Sequence, residues 1–143
     1  MRRTPREEAE RWLEQARADL RGGEALLAAA SYHLACFVAQ QVAEKALRAY
    51  LYAQGEEFVL GHSVEVLAAR AAQYDEAFEE LRRRVAALDG YYIPTRYPNA
   101  LPDSIPARVY GARNAEDALG LARETLDFVS ARVSRIPKGS ESA

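Results

Sequence analysis

A chain of 143 residues holds one domain with a proper core and is too short for two comfortable ones. Its 49% hydrophobic and 28% charged residues are the profile of a soluble globular protein, and no run of eighteen apolar residues offers a membrane span. A net charge of −2 gives no reason in bulk charge for binding nucleic acid or an anionic membrane, and the lone Cys36 rules out an internal disulfide.

The opening stretch, MRRTPREEAERW, runs from arginines into glutamates rather than into an apolar core, so no secretory signal is expected and a cytoplasmic setting fits. With only His33 and His62, a histidine-rich metal site is excluded and a carboxylate site is not; no cofactor is expected.

Ala9, Trp12, Ala16 and Leu20 share one face of a first helix over 6–21, which Gly22-Gly23 is expected to end. A longer helix over 24–54 carries Leu27, Leu34, Phe37, Val38, Val42, Leu47, Tyr50 and Leu51, a stripe wider than one neighbouring helix needs. Ser31 is a point of interruption in it, and Gly55 closes it. Ser63 is placed to cap a third helix through Val64, Leu67, Ala68 and Ala71. A fourth, over 75–88, turns Phe78, Leu81, Val85 and Leu88 inward. Asn114 is placed to cap the last helix, through Ala115, Leu119, Ala122, Leu126, Val129 and Val133. No alternating β-branched run competes. The expected fold is all-α, an up-and-down bundle of four to five helices in a single domain over 1–135, with a flexible tail over 136–143.

Residues 89–110, DGYYIPTRYPNALPDSIPARVY, break the helical pattern. Pro94, Pro98, Pro102 and Pro106 recur at every fourth position, so any helix attempted there loses a hydrogen bond in each turn. The segment must be extended or turned, and connections longer than about 12–15 residues are uncommon in compact domains. One reading is a loop packed over the end of the bundle. The other is a ligand surface, with Arg96 gripping phosphate, Tyr91, Tyr92 and Tyr97 offering faces for a base, Asp89 holding Arg96 in place when the ligand is absent, and Tyr110 in support.

Gln40, Gln41, Glu44 and Lys45 read as a solvated face of the second helix or as part of a site, with Glu44 and Arg48 as an ordinary surface pair. His62 reads as a structural residue at a helix start or a supporting member of the site, and His33 as a core residue. Nothing in these residues demands catalysis.

Three stretches, FVAQQVAEKALRAYLYAQG, GHSVEVL and LDGYYIPTRYPNALP, resemble in order and spacing the prokaryotic branch of the HEPN domain family, and with the flanking helices the resemblance covers residues 6–133. It implies a helical bundle that forms a homodimer or higher oligomer, often with a groove between subunits. It also implies partnership with a minimal nucleotidyltransferase in a two-component system similar to toxin–antitoxin pairs, with the wide stripe of the second helix serving both core and partner subunit. HEPN ribonucleases carry an arginine followed four to six residues later by a histidine; this chain has no such pair, and no histidine after His62. Tyrosine, with an ordinary pKa near 10, is a poor general base at neutral pH. The expected function is therefore a non-catalytic nucleotide- or RNA-binding module using Arg96, Tyr91, Tyr92, Tyr97 and Lys45. The alternatives are a metal-independent RNase-like toxin with an atypical site and a purely structural oligomerisation module.

Overall fold

Thr4 starts the first helix. Its hydroxyl accepts from the Glu7 amide at 3.1 Å while the Glu7 carboxylate accepts the Thr4 amide at 2.8 Å, and Pro5 occupies the first helical position, where its missing donor costs nothing. The computed structural model describes residues 2–137. Its helices are α1 (Pro5–Ala28), α2 (Tyr32–Ala53), α3 (Val64–Ala72), α4 (Phe78–Val85), the single turn α5 (Pro106–Val109) and α6 (Ala112–Ser134). No helix among the described residues is long and apolar enough to cross a membrane.

The all-α expectation holds, with corrections at three helix ends. Helix α1 does not stop at Gly22-Gly23 but runs on to Ala28. Gly23 is a close-packing position: a Cβ there would lie 2.8 Å from a Leu119 methyl and 3.2 Å from a Val38 methyl. The chain reverses instead at Ala29–Ser31, with Ala30 in the left-handed region at φ 61°, so the interruption expected near Ser31 is a full break between two helices. Helix α6 begins at Ala112, not beyond Asn114. Asn114 sits inside the first turn and its carbonyl oxygen reaches back to accept the Gly111 amide at 2.9 Å. Gly55, at φ 96°, ends α2 as expected.

Helix α2 is the centre of the molecule. It packs against α1, α6, α3 and α5 and against the 3-10 turn Ala86–Tyr91. Those neighbours account for a stripe wider than one helix needs, although Leu34 of that stripe stays exposed. Ala115, Leu119, Ala122, Leu126, Val129 and Val133 of α6 are all buried, as their spacing predicts. His33 is half-buried in the first turn of α2 and does not reach the core. Of the expected tail, only Ile136 and Pro137 fall within the described residues.

The proline segment is short-range turns for most of its length: the 3-10 turn ending at Tyr91, a turn over 94–96 and a second 3-10 turn, Pro98–Ala100. It departs from the expected non-helical path only at α5. There Pro106 takes the first position of one helical turn, the place where proline is tolerated.

Candidate functional site

The polar face of α2 is not a solvated surface. Gln40, Glu44 and Arg48, each one turn further along the helix, are all buried, and Glu44 with Arg48 is no ordinary surface pair. Arg48 donates through Nε to Glu44 at 3.0 Å, and its two terminal nitrogens donate to the carbonyls of Val59 and Gly61. Gln40 donates to the His62 carbonyl at 3.0 Å and to Glu44 at 3.2 Å. A buried charge survives only when paired and hydrogen-bonded, and this network meets that condition by seizing the otherwise unmatched carbonyls of the loop before α3. The loop is thereby fixed in place, and His62 with it. The His62 ring places Nδ1 3.1 Å from the same Glu44 oxygen that receives Arg48 Nε.

His62 meets the proline segment. Its ring stacks on Tyr92 with centroids 5.0 Å apart and planes 18° from parallel. The Arg96 guanidinium carbon lies 4.7 Å from the Tyr92 ring centre, 4.4 Å from that of Phe37 on α2, and 5.3 Å from that of Tyr97. Cation–π contact with three rings holds the guanidinium plane, and Arg96 Nε donates to the Tyr92 carbonyl at 2.7 Å. Thr95, fully buried, pins the turn by donating to the Tyr91 carbonyl at 2.5 Å. Among the described residues Arg96 is the only half-buried arginine without a carboxylate partner. Among the described residues nothing hydrogen-bonds its two terminal nitrogens, a pair that can grip an oxyanion end-on.

The other expected members part company. Asp89 does not hold Arg96. Its carboxylate accepts from the Ser63 hydroxyl at 2.7 Å and from the amides of Val64 at 2.6 Å and Glu65 at 3.2 Å, so it caps α3 from outside that helix. Ser63 also caps as expected, accepting from Val66 at 3.1 Å. Tyr91 turns into the bundle and packs edge-on against Tyr110, with centroids 5.8 Å apart. Burial pushes its hydroxyl above the ordinary tyrosine range. Both rings are half-buried there. Lys45 faces α1 instead, where it pairs with Asp19 and lines a groove of about 430 Å³ with Arg11, Trp12, Glu14, Gln15 and Ala18. Tyr92 is engaged by His62 and Arg96, which leaves the half-exposed Tyr97 as the aromatic platform of the block.

One member is unanticipated: Phe37 reads in sequence as one more apolar residue of a wide stripe. Glu44 reads both as part of a site and as half of a surface pair, and its burial excludes the second. The available signal was the recurrence of Gln40, Glu44 and Arg48 at helical spacing on an apolar helix, one polar line that had to be matched from elsewhere in the fold. Among the described residues no three His, Cys, Asp or Glu side chains gather where they could hold a metal ion.

A family model described as the HEPN domain matches residues 9–133. Among solved structures, TT1696 from Thermus thermophilus is similar at 43% sequence identity with a TM-score of 0.82, over 87% of this chain and 98% of that one. ST0689, an archaeal HEPN homologue, is similar at 30% identity with a TM-score of 0.73, over 93% of this chain and 99% of that one. No curated protein matches.

Proposed function

The chain belongs to the HEPN domain family, and on that footing we propose that it is a non-catalytic binding module whose proline segment takes the phosphate of a nucleotide or of RNA. The observation that carries this reading is Arg96: oriented by a carbonyl and three rings and, among the described residues, without a carboxylate partner and with both terminal nitrogens unmatched. An arginine that served only the fold would be expected to have those donors matched, as Arg48 has. Tyr97 is the platform for an adjoining base or ribose. His62, Phe37 and Tyr92 shape the site, while Asp89 ties the segment to the start of α3 and Tyr110 packs on Tyr91.

In this reading the protein is a cytoplasmic homo-oligomer that works beside a minimal nucleotidyltransferase, as one half of a two-component, toxin–antitoxin-like pair. Co-purification from the native source checks that association directly: a nucleotidyltransferase should accompany the chain at a fixed ratio, and its absence would remove the partner from the proposal.

Calorimetric titration with ATP and with a short oligouridylate tests the site. Wild type should bind at least one of them and Arg96→Ala should bind at least about tenfold more weakly, the effect of losing a charge-assisted bidentate contact. Equal affinities in the two proteins would remove the assignment. RNA recovered from long incubation should be intact, and its cleavage would overturn the non-catalytic reading.

A further inference from the structure

His62 is held from two sides, more firmly than a structural histidine at a helix start requires. Its carbonyl accepts from Gln40, and its Nδ1 lies 3.1 Å from the buried Glu44 carboxylate. The two imidazole nitrogens lie on different edges of the ring, so this contact turns Nε2 away from Glu44. The side chain is 58% exposed, and no protein group among the described residues hydrogen-bonds Nε2. The ring stacks on Tyr92, the same tyrosine over which Arg96 is poised.

The charges around this ring decide what protonation does. From α2 come Glu44 and Arg48, which already neutralise each other. From the proline segment come Tyr92 and Arg96, whose charge has no carboxylate partner among the described residues. Asp89, on the 3-10 turn, is taken by the first turn of α3. When His62 is neutral the cluster carries one uncompensated positive charge, on Arg96. When it is protonated the cluster carries two, arranged about one tyrosine. An anion at the site offsets both, so proton and anion binding must favour each other.

We propose that His62 is the second cation of the Arg96 site, supplied on protonation, and that the site thereby holds the phosphodiester backbone of a single-stranded nucleic acid more tightly in mildly acidic conditions. The inference rests on the phosphate-binding reading of Arg96. It adds a residue whose charge is conditional, held ready by the Gln40–Glu44–Arg48 network. Glu44 and Arg48 are positioning residues here, because they touch the imidazole or its carboxylate and not the ligand.

The test is binding of a fluorescein-labelled short oligouridylate, read by anisotropy at about pH 5.5 and about pH 8 at fixed ionic strength. A diester probe is used because a phosphate monoester would itself gain a proton near about pH 6. Wild type should bind about tenfold more tightly at the lower pH, within the ordinary range of coupling between two sites. His62→Gln should bind weakly at both pH values and His62→Arg tightly at both, while His33→Gln keeps the wild-type response. A merely structural His62 would leave both His62 variants equally impaired, and that result overturns the proposal. So does a wild-type affinity that is the same at both pH values while Arg96→Ala abolishes binding, a result that leaves the Arg96 site standing. If Arg96→Ala binds like wild type, or wild type binds at neither pH, the phosphate reading falls and this one with it.

Discussion

Glu44 and Arg48, one turn apart on α2, form an ion pair of 3.0 Å whose side chains are only 7% and 10% exposed. The pair is a joint between two parts of the fold, because the terminal nitrogens of Arg48 hold the carbonyls of Val59 and Gly61. Arg48→Ala leaves a buried carboxylate without its cation and two loop carbonyls without a donor. Chemical denaturation should show a loss of about 3–5 kcal/mol, the cost of breaking a buried pair by removing one partner. A loss below about 1 kcal/mol would mean that the loop before α3 stands without this joint.

Asp89 and Arg96 lie in one segment but act separately. Asp89→Ala removes one hydroxyl contact and two amide contacts at the start of α3 and should cost about 1–2 kcal/mol, in the range of a lost helix cap. Phosphate affinity at Arg96 should be unchanged in the folded variant. A variant of undiminished stability that binds phosphate poorly would restore Asp89 to the ligand site.

Much of the bundle was legible in the chain because apolar spacing reports burial directly. The inward face of α6 is the clearest case: every residue assigned to it by period is buried. Helix ends were less legible, since a glycine that terminates and a glycine that packs look the same in sequence. Gly55 does the first and Gly23 the second. The site was half legible. Prolines at every fourth position marked the segment, and Arg96 stood out among tyrosines, but which ring it meets depends on packing. Phe37 comes from α2 and His62 from the loop before α3, and nothing local to either residue announces the meeting. Asp89 lies near Arg96 in sequence but nearer in space to the unmatched amides of α3, and those take its carboxylate.

The paired glycines of α1 give a stability test with contrasting outcomes. At Gly22 an added Cβ meets nothing within 4 Å, so Gly22→Ala should stabilise by about 0.5–1 kcal/mol through helix propensity. At Gly23 the same methyl pushes on Leu119 and Val38, which offsets that gain. Thermal or denaturant unfolding should separate the two variants by about 1–2 kcal/mol, with Gly23→Ala the less stable. Equal stabilisation would show that Leu119 yields freely.

The two ends of the pH range should act through different groups. The Ala77 amide first, and the Arg132 guanidinium with it, hold the Asp75 carboxyl below the usual carboxylate range. Its contribution is therefore present above the unfolded value near about pH 4 and fades as pH falls through the folded value. Burial pushes the Cys36 thiol up to about 11 from an ordinary value near 9. That contribution is full below about pH 9 and is lost as pH rises through about 11. Unfolding midpoints should show Asp75→Asn flattening the acid limb and Cys36→Ala the alkaline limb. A thiol reagent at neutral pH should modify native Cys36 at least about a hundredfold more slowly than the unfolded chain. Immediate labelling of the native protein would contradict the burial of that residue.

The Arg96 site is tested most directly by Arg96→Lys, titrated with the oligouridylate beside wild type. Lysine keeps the positive charge but lacks the planar fork that lies against Phe37, Tyr92 and Tyr97 and presents two nitrogens together. Binding at least about tenfold weaker than wild type is the predicted result. An affinity equal to wild type would mean that the segment offers only a charge, and that the ring-held geometry of Arg96 has no part in taking phosphate.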